Sequence, residues 1–533
     1  MSSTSASSQR AILAPTQLVP PIQTTRTALF VIGGALLALV LGVMDQSIVV
    51  TAGPAIIHAL PGGLGLYPWV FTAFILAQTV SMPILGKLSD MYGRKRFFLA
   101  GLVLFMAGSI LSGASQTIQQ LVIFRAIQGV GSGAFFSIGL AIIGTSVTPE
   151  RRARVLGLSG SVLGSGAIFG PTAGSYLVQS VGWRWIFYVN IPLGLAALAI
   201  IGIALRETRL QVMDRSIDSF GVATLSGWVS LLLLGLLNGG TTYPWFSWQE
   251  AVFLAGFAIL LPLFVWVESR ARNPILPLSL FRNRTISASV ATQLVRGMVF
   301  YGGVVYVSLF IQGALGGTID DVRNIVYSFV VPFIIGSIVS GRVVNRFGYR
   351  AVTMSGLLIV TLGALLRVLV GISPSLVEVA IASLPLGLGL GVTLASVLSA
   401  FQNSVDQTRI GTASSLSTFS QNLGGAVGVG IIGTIQLNSL SSRLAALVQQ
   451  APFQYQGKLA ELFANPNQVG FVLSSSTGLS GSPLASFLPQ IRTALAGSVL
   501  DASIGLLVMS IIAVVASSFV PGRPKKPSLS HAR

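Results

Sequence analysis

Fourteen apolar stretches, each long enough to cross a bilayer, run from Ala28 to Phe519, and they decide the solvent before any motif is read. A helix needs roughly 20 mostly apolar residues to traverse the hydrocarbon core. The chain is 52% hydrophobic and only 9% charged, where soluble domains carry about 25% charged residues. The expected fold is therefore an all-α membrane protein of 14 transmembrane helices. The spans are read at 28–50, 66–86, 97–115, 119–146, 155–178, 185–205, 218–239, 250–268, 287–312, 322–341, 351–371, 377–400, 413–436 and 497–519. Sixty glycines suit helices whose backbones must approach closely in lipid.

A formal charge of +18 invites a nucleic-acid reading, but the positions of the charges argue against it. Most of the 32 Lys and Arg fall in the tails and in alternate loops: Lys87, Arg94, Lys95 and Arg96 after span 2, Arg151, Arg152 and Arg154 after span 4, Arg206, Arg209 and Arg215 after span 6, Arg270, Arg272, Arg282 and Arg284 after span 8, and Arg342, Arg346 and Arg350 after span 10. This is the positive-inside asymmetry, which marks those loops as cytoplasmic. An even number of spans places both termini on that side. Residues 1–27 and 520–533 read as cytoplasmic tails, the first disordered and without the short apolar core of a cleavable signal. One long loop, 437–496, is expected outside and partly disordered, with a short helix at Gly457–Phe463. The sequon Asn283-Arg284-Thr285 falls in a cytoplasmic loop and is expected to be unused. The chain has no cysteine, so disulfides, thiolate metal sites and a cysteine nucleophile are excluded.

The chain repeats itself. Gly86-Lys-Leu-Ser-Asp90-Met-Tyr-Gly93-Arg94-Lys95 recurs 255 positions later as Gly341-Arg-Val-Val-Asn345-Arg-Phe-Gly348-Tyr-Arg350, and Gly101 and Gly108 recur as Gly356 and Gly363 at the same offset. Two related halves of a helical membrane protein mark a secondary transporter, with substrate held between them near the midplane. Residues 28–205 and 286–519 are the expected pseudo-symmetric six-helix bundles, and 206–285 inserts two further transmembrane helices between them.

The turn after span 2 is the strongest local signal. Gly93 allows a sharp reversal. Asp90, among cations and near helix ends, can pair with Arg94 or cap a helix N-terminus, and such a pairing can hold one face of the protein shut. The bland alternative is a plain positive-inside turn, which the recurrence in the second half disfavours. Together with this turn, Arg125-Ala-Ile-Gln128-Gly129-Val-Gly131, Gly166-Ala-Ile-Phe-Gly170-Pro171-Thr-Ala-Gly174, Leu41-Gly-Val-Met-Asp45-Gln-Ser-Ile-Val-Val and Trp183-Arg-Trp-Ile-Phe-Tyr-Val-Asn190-Ile-Pro192 resemble the major facilitator superfamily. Within it they are similar to the fourteen-span drug–proton antiporters, and the long outer loop resembles fungal exporters of toxins. The resemblance implies proton coupling at Asp45 and Arg125, a gating loop at Gly86, Asp90, Gly93 and Arg94, and an antiporter motif at Gly166, Gly170, Pro171 and Gly174. It also allows contact between Asp45 and cationic substrates.

Asp45 is the acidic residue deepest in a span. Keeping a carboxylate charged there is costly, and an intramembrane ionisable group is a functional hypothesis by default; the alternative is a structural carboxylate satisfied by a hydroxyl such as Ser47. Arg125 stays charged and cannot carry the proton itself. It either tunes a nearby carboxylate, anchors a hydrogen-bond network, or snorkels at a span end. The span 5 glycines are also a general packing device, to which Pro171 adds a missing backbone donor. Gln78 and Gln128, with Asp45, are candidates for the substrate cavity, while Arg296, Arg367, Glu378 and Asp501 receive no role. Trp183, Trp185 and Tyr188 read as an interfacial belt.

No phosphate-binding Gly-x-x-x-x-Gly-Lys-Ser/Thr sequence is present, and two histidines give no metal cluster. Neither enzyme chemistry nor a cofactor is expected. The expected activity is proton-coupled efflux of drugs, toxins or a secondary metabolite by alternating access. The expected partners are a small-molecule substrate, protons and the lipid bilayer, with no nucleic acid, in a monomer at the cell membrane. The rival readings are a vacuolar or plasma-membrane carrier for basic amino acids or iron chelates, and a transporter-like sensor.

Overall fold

A computed structural model describes residues 25–61, 63–206, 216–240, 242–463 and 486–522. Arg209 and Arg215, residues 464–485 of the expected outer loop, and nearly all of both tails lie outside these ranges. Thirteen described helices are long and apolar enough to cross a membrane. They are α1 Thr25–Thr51, α2 Gly63–Tyr92, α3 Arg94–Ala114, α4 Ile118–Thr145, α5 Pro149–Ser180, α6 Trp185–Ala204, α7 Ser219–Asn238 and α8 Trp248–Arg270 in the first part of the chain. After α9 Arg284–Ser308 come α10 Ile319–Phe347, α11 Tyr349–Leu369, α12 Leu376–Gln402, α13 Ile410–Gln450 and α14 Leu488–Ser518. Helix α9, continued by a π-helical turn at Leu309–Ala314, stands where the ninth span was expected and brings the number of long helices to the fourteen expected.

In the first lobe α1 packs on α5 and α6, and α4 on α2 and α3. The second lobe repeats the pattern, with α9 on α13 and α14 and α12 on α10 and α11. The repeated glycines explain the match. A Cβ on Gly108 would come within 2.7 Å of the Gln128 backbone, and one on Gly363 within 2.7 Å of the Leu386 backbone. Thus α3–α4 and α11–α12 close on each other at equivalent glycines. The lobes meet along two seams, α5 with α10 and α2 with α13. Helices α7 and α8 pair with each other, and α7 leans on α2 and α13 beside one seam. Trp228 meets Phe419 there edge-on, with ring centroids 6.1 Å apart.

Two sequence expectations need correction. Residues 437–496 are not mainly loop: α13 runs on to Gln450, a helix spans Phe453–Phe463, and α14 begins at Leu488. Leu440 and Leu444 of the α13 extension are buried against Ile491 and Leu495 of α14, so an apolar contact prolongs both helices beyond the spans read from hydropathy. The aromatic belt also divides, because Trp185 is exposed whereas Trp183 is buried beside Phe187.

Candidate transport site

Asp45 sits on α1 and is 0% exposed, as are Arg125 and Gln128 of α4 and Asn190 of α6. The Asp45 carboxylate receives Nη1 of Arg125 at 2.5 Å, Nε2 of Gln128 at 2.8 Å and Nδ2 of Asn190 at 2.7 Å. Gln128 Oε1 accepts from the same Arg125 nitrogen at 2.7 Å. Ser109 of α3 accepts from Gln128 and Asn190 and donates to the Phe187 carbonyl. The Arg125 guanidinium lies 4.0 Å over the Phe74 ring of α2. Five helices thus converge on one carboxylate. All three of its partners donate, so protonating Asp45 removes the negative charge that holds the Arg125 guanidinium.

This geometry removes two alternatives. Ser47 does not satisfy Asp45; its hydroxyl bonds to backbone carbonyls of Val43, Met44 and Gly166. Arg125 does not snorkel, since it is wholly buried and ion-paired. Asn190 and Ser109 belong to this network, and sequence reasoning did not select them as site residues. An amide within an apolar span, as at Asn190, was the available signal.

A cavity of about 500 Å³ lies between the lobes. Gln78 and Gln46 line it, but Asp45 and Gln128 do not, which corrects their assignment to the cavity. They are held back by the ion pair with Arg125. Polar side chains lead from the cavity toward that cluster. Gln46 donates to Gln78 at 3.4 Å, and Gln78 donates to the Ser132 hydroxyl at 2.8 Å, one helical turn along α4 from Gln128.

The antiporter-motif glycines act on α1. Gly166, Gly170 and Gly174 face Val43, Ser47 and Thr51 respectively, and a Cβ on Gly170 would collide with the Ser47 hydroxyl. Pro171 cannot donate to the carbonyl of Ala167, a residue that lines the cavity. Gly170→Leu is expected to force α5 off α1, at about 1–3 kcal/mol for overpacking. The readout is a lower melting temperature in detergent together with lost transport; an unchanged melting temperature would show that the close packing is dispensable.

At the end carrying the basic loops, the lobes are latched. Asp90 Oδ1 accepts from Arg94 at 2.8 Å and from the Gly411 amide at 3.0 Å, and Oδ2 accepts from the Thr412 amide at 2.7 Å and its hydroxyl at 3.0 Å. These amides open α13, so the carboxylate also meets the positive end of that helix. Arg94 adds a bond to the Gln407 carbonyl at 2.8 Å. Both roles expected for Asp90, pairing and capping, are therefore filled together, and across the seam. The second-half counterpart Asn345 donates to the Glu150 carbonyl at 2.5 Å, at the start of α5. Gly93 and Gly348 turn the chain at φ 114° and 83°, a region that disfavours other residues. Gly86 packs on Gly411 and Ser415, and Arg152 donates to Asn403 across the other seam at 2.8 Å. Just above, Gln402 bridges the Leu140 carbonyl and Ser414, while the cavity continues past them toward Val50 and Ile325 at the opposite end.

Two repeated six-helix lobes around a central cavity define the secondary-transporter class of membrane protein. The chain belongs to the Major Facilitator Superfamily, whose family model matches residues 35–429. It is 33% identical to the multidrug transporter protein MdtP of Bacillus subtilis over 83% of this chain and 81% of that one. It is 29% identical to the efflux pump dotC of Dothistroma septosporum over 85% of this chain and 79% of that one. Among solved structures, the proton:xylose symporter XylE superposes with a TM-score of 0.59 at 13% identity, covering 93% of this chain and 96% of that one.

Proposed function

We propose that this protein is a proton-coupled exporter of small organic molecules, working by alternating access with the basic loops and both termini in the cytoplasm of a cell-surface membrane. The observation that carries the proposal is the buried Asp45–Arg125 pair, set apart from a central cavity from which Gln46, Gln78 and Ser132 lead to within one turn of Gln128. The naming of relatives as multidrug transporters and efflux pumps supports the direction of transport.

The described state is closed at the cytoplasmic end. A proton entering from the outer side reaches Asp45, neutralises it and loosens its hold on Arg125, Gln128 and Asn190. Helix α1 is then free to shift against α4 and α6, and the lobes rock to open the cavity inward. Substrate loading inside and release of the proton reverse the motion. Each charge that enters down 100 mV supplies about 2.3 kcal/mol. The test uses everted vesicles with an acidic lumen and a trapped pH dye. Addition of a transported compound is expected to alkalinise the lumen in vesicles containing the protein and not in empty ones. Export into the lumen without proton movement would reject the coupling.

A further inference from the structure

The cavity is cationic, and the charge sits on one lobe. Arg296 of α9 and Arg367 of α11 line it, and among the described residues no Asp or Glu does. Arg296 is 1% exposed and bonds only to neutral acceptors: Thr393 at 2.6 Å, Gln421 at 2.9 Å, the Leu390 carbonyl at 3.2 Å and Gln293 at 3.3 Å. Among the described residues Arg367 makes one bond, to the Gly303 carbonyl at 3.2 Å. The acid of the first lobe, Asp45, is already matched by Arg125. A buried guanidinium without a counter-ion is costly; Arg296 is one, and the half-buried Arg367 borders the same space. Their field draws in a ligand of opposite sign, and arginine suits carboxylate, sulfonate or phosphate oxygens, which can accept two N–H groups at once.

The wall between the two arginines says what the ligand carries besides its charge. Gly303 lies seven residues beyond Arg296 on α9, a rise of about 10 Å. Phe300 stands between them and meets Phe329 at 6.1 Å and Phe333 at 6.3 Å, and those two rings stack on each other. Such a surface receives a planar apolar body.

We infer that the exported substrate is an organic anion with an aromatic body, its anionic group bound by Arg367 in the field of Arg296 and its rings laid on the phenylalanines of α9 and α10. This rests on the export reading above and names the substrate class for it. It runs against contact between Asp45 and a cationic drug, because Asp45 is not in the cavity wall.

The experiment is counterflow in proteoliposomes at equal pH on both sides, which needs no proton drive. The probes are naphthalene-2-sulfonate and 2-naphthyltrimethylammonium, permanent ions of opposite charge on one ring system. The wild-type protein is expected to exchange the sulfonate at least tenfold faster than the cation. Arg367→Gln is expected to lower sulfonate exchange at least tenfold, with Arg367→Lys retaining more of it, and Arg296→Gln to weaken sulfonate affinity. Cation exchange equal to or faster than sulfonate exchange in the wild type overturns the inference and leaves the export reading standing. Exchange of neither probe counts against both. The wild-type comparison decides the matter even if a variant does not fold.

Discussion

Asp45→Asn is expected to be the most disruptive single polar substitution in the protein. It leaves the Arg125 charge wholly buried and without a counter-ion, facing Gln128, the Phe74 and Phe187 rings and a backbone carbonyl. Breaking a buried ion pair by removing one partner costs about 3–5 kcal/mol, because the surviving charge is left uncompensated. The variant should reach the membrane in lower yield and melt at a lower temperature in detergent. Asp45→Asn combined with Arg125→Gln should recover most of that loss, since two neutral amides can share the hydrogen bonds with Gln128 and Asn190. A double variant no more stable than the single one would show that the pair contributes little beyond packing. The buried pairing makes the double variant the necessary control.

The second large effect is expected at Asp90. Its carboxylate joins the lobes at the end carrying the basic loops through Gly411, Thr412 and Arg94. Hydrogen bonds to a charged group contribute about 1.5–3 kcal/mol each. Losing even part of this set should move the balance between closed and open by on the order of 10- to 100-fold. The chain has no cysteine, so spin labels can be placed directly at Arg96→Cys and Thr408→Cys. The distance between them should be short in the wild type and broad and longer in Asp90→Ala. Asp90→Asn should fall between, because an amide already serves at Asn345 on the other seam. Identical distance distributions in wild type and Asp90→Ala would refute the latch.

Much of this was legible in the chain. The spans follow from apolar length, and the latch follows from a repeated turn whose Gly93 and Gly348 have the same backbone role. The pairing of Asp45 with Arg125 was half visible, as an arginine needing a nearby carboxylate. The choice among tuning, anchoring and snorkelling depended on how α1 and α4 face each other, which neither helix records by itself. Asn190 joins Asp45 from 145 positions away, a contact set by the packing of α6. The same limit hid the cavity. Arg296 and Arg367 lie in helices apolar on nearly every side, so the sequence alone did not show that both point into one space. The extension of α13 escaped notice for the opposite reason: its outer turns mix Asn438, Ser439, Ser441, Ser442 and Arg443 with leucines, and Leu440 and Leu444 are held by α14.

The central claim is that a proton on Asp45 drives export. Its most direct test is uphill transport in everted proteoliposomes, comparing wild type with Asp45→Asn at a temperature where both are folded. The wild type should concentrate its substrate in the lumen only while the lumen is acidic. Asp45→Asn should exchange substrate down its gradient without concentrating it. Equal accumulation by the two proteins, or accumulation by the wild type after the gradient is collapsed, would contradict the account.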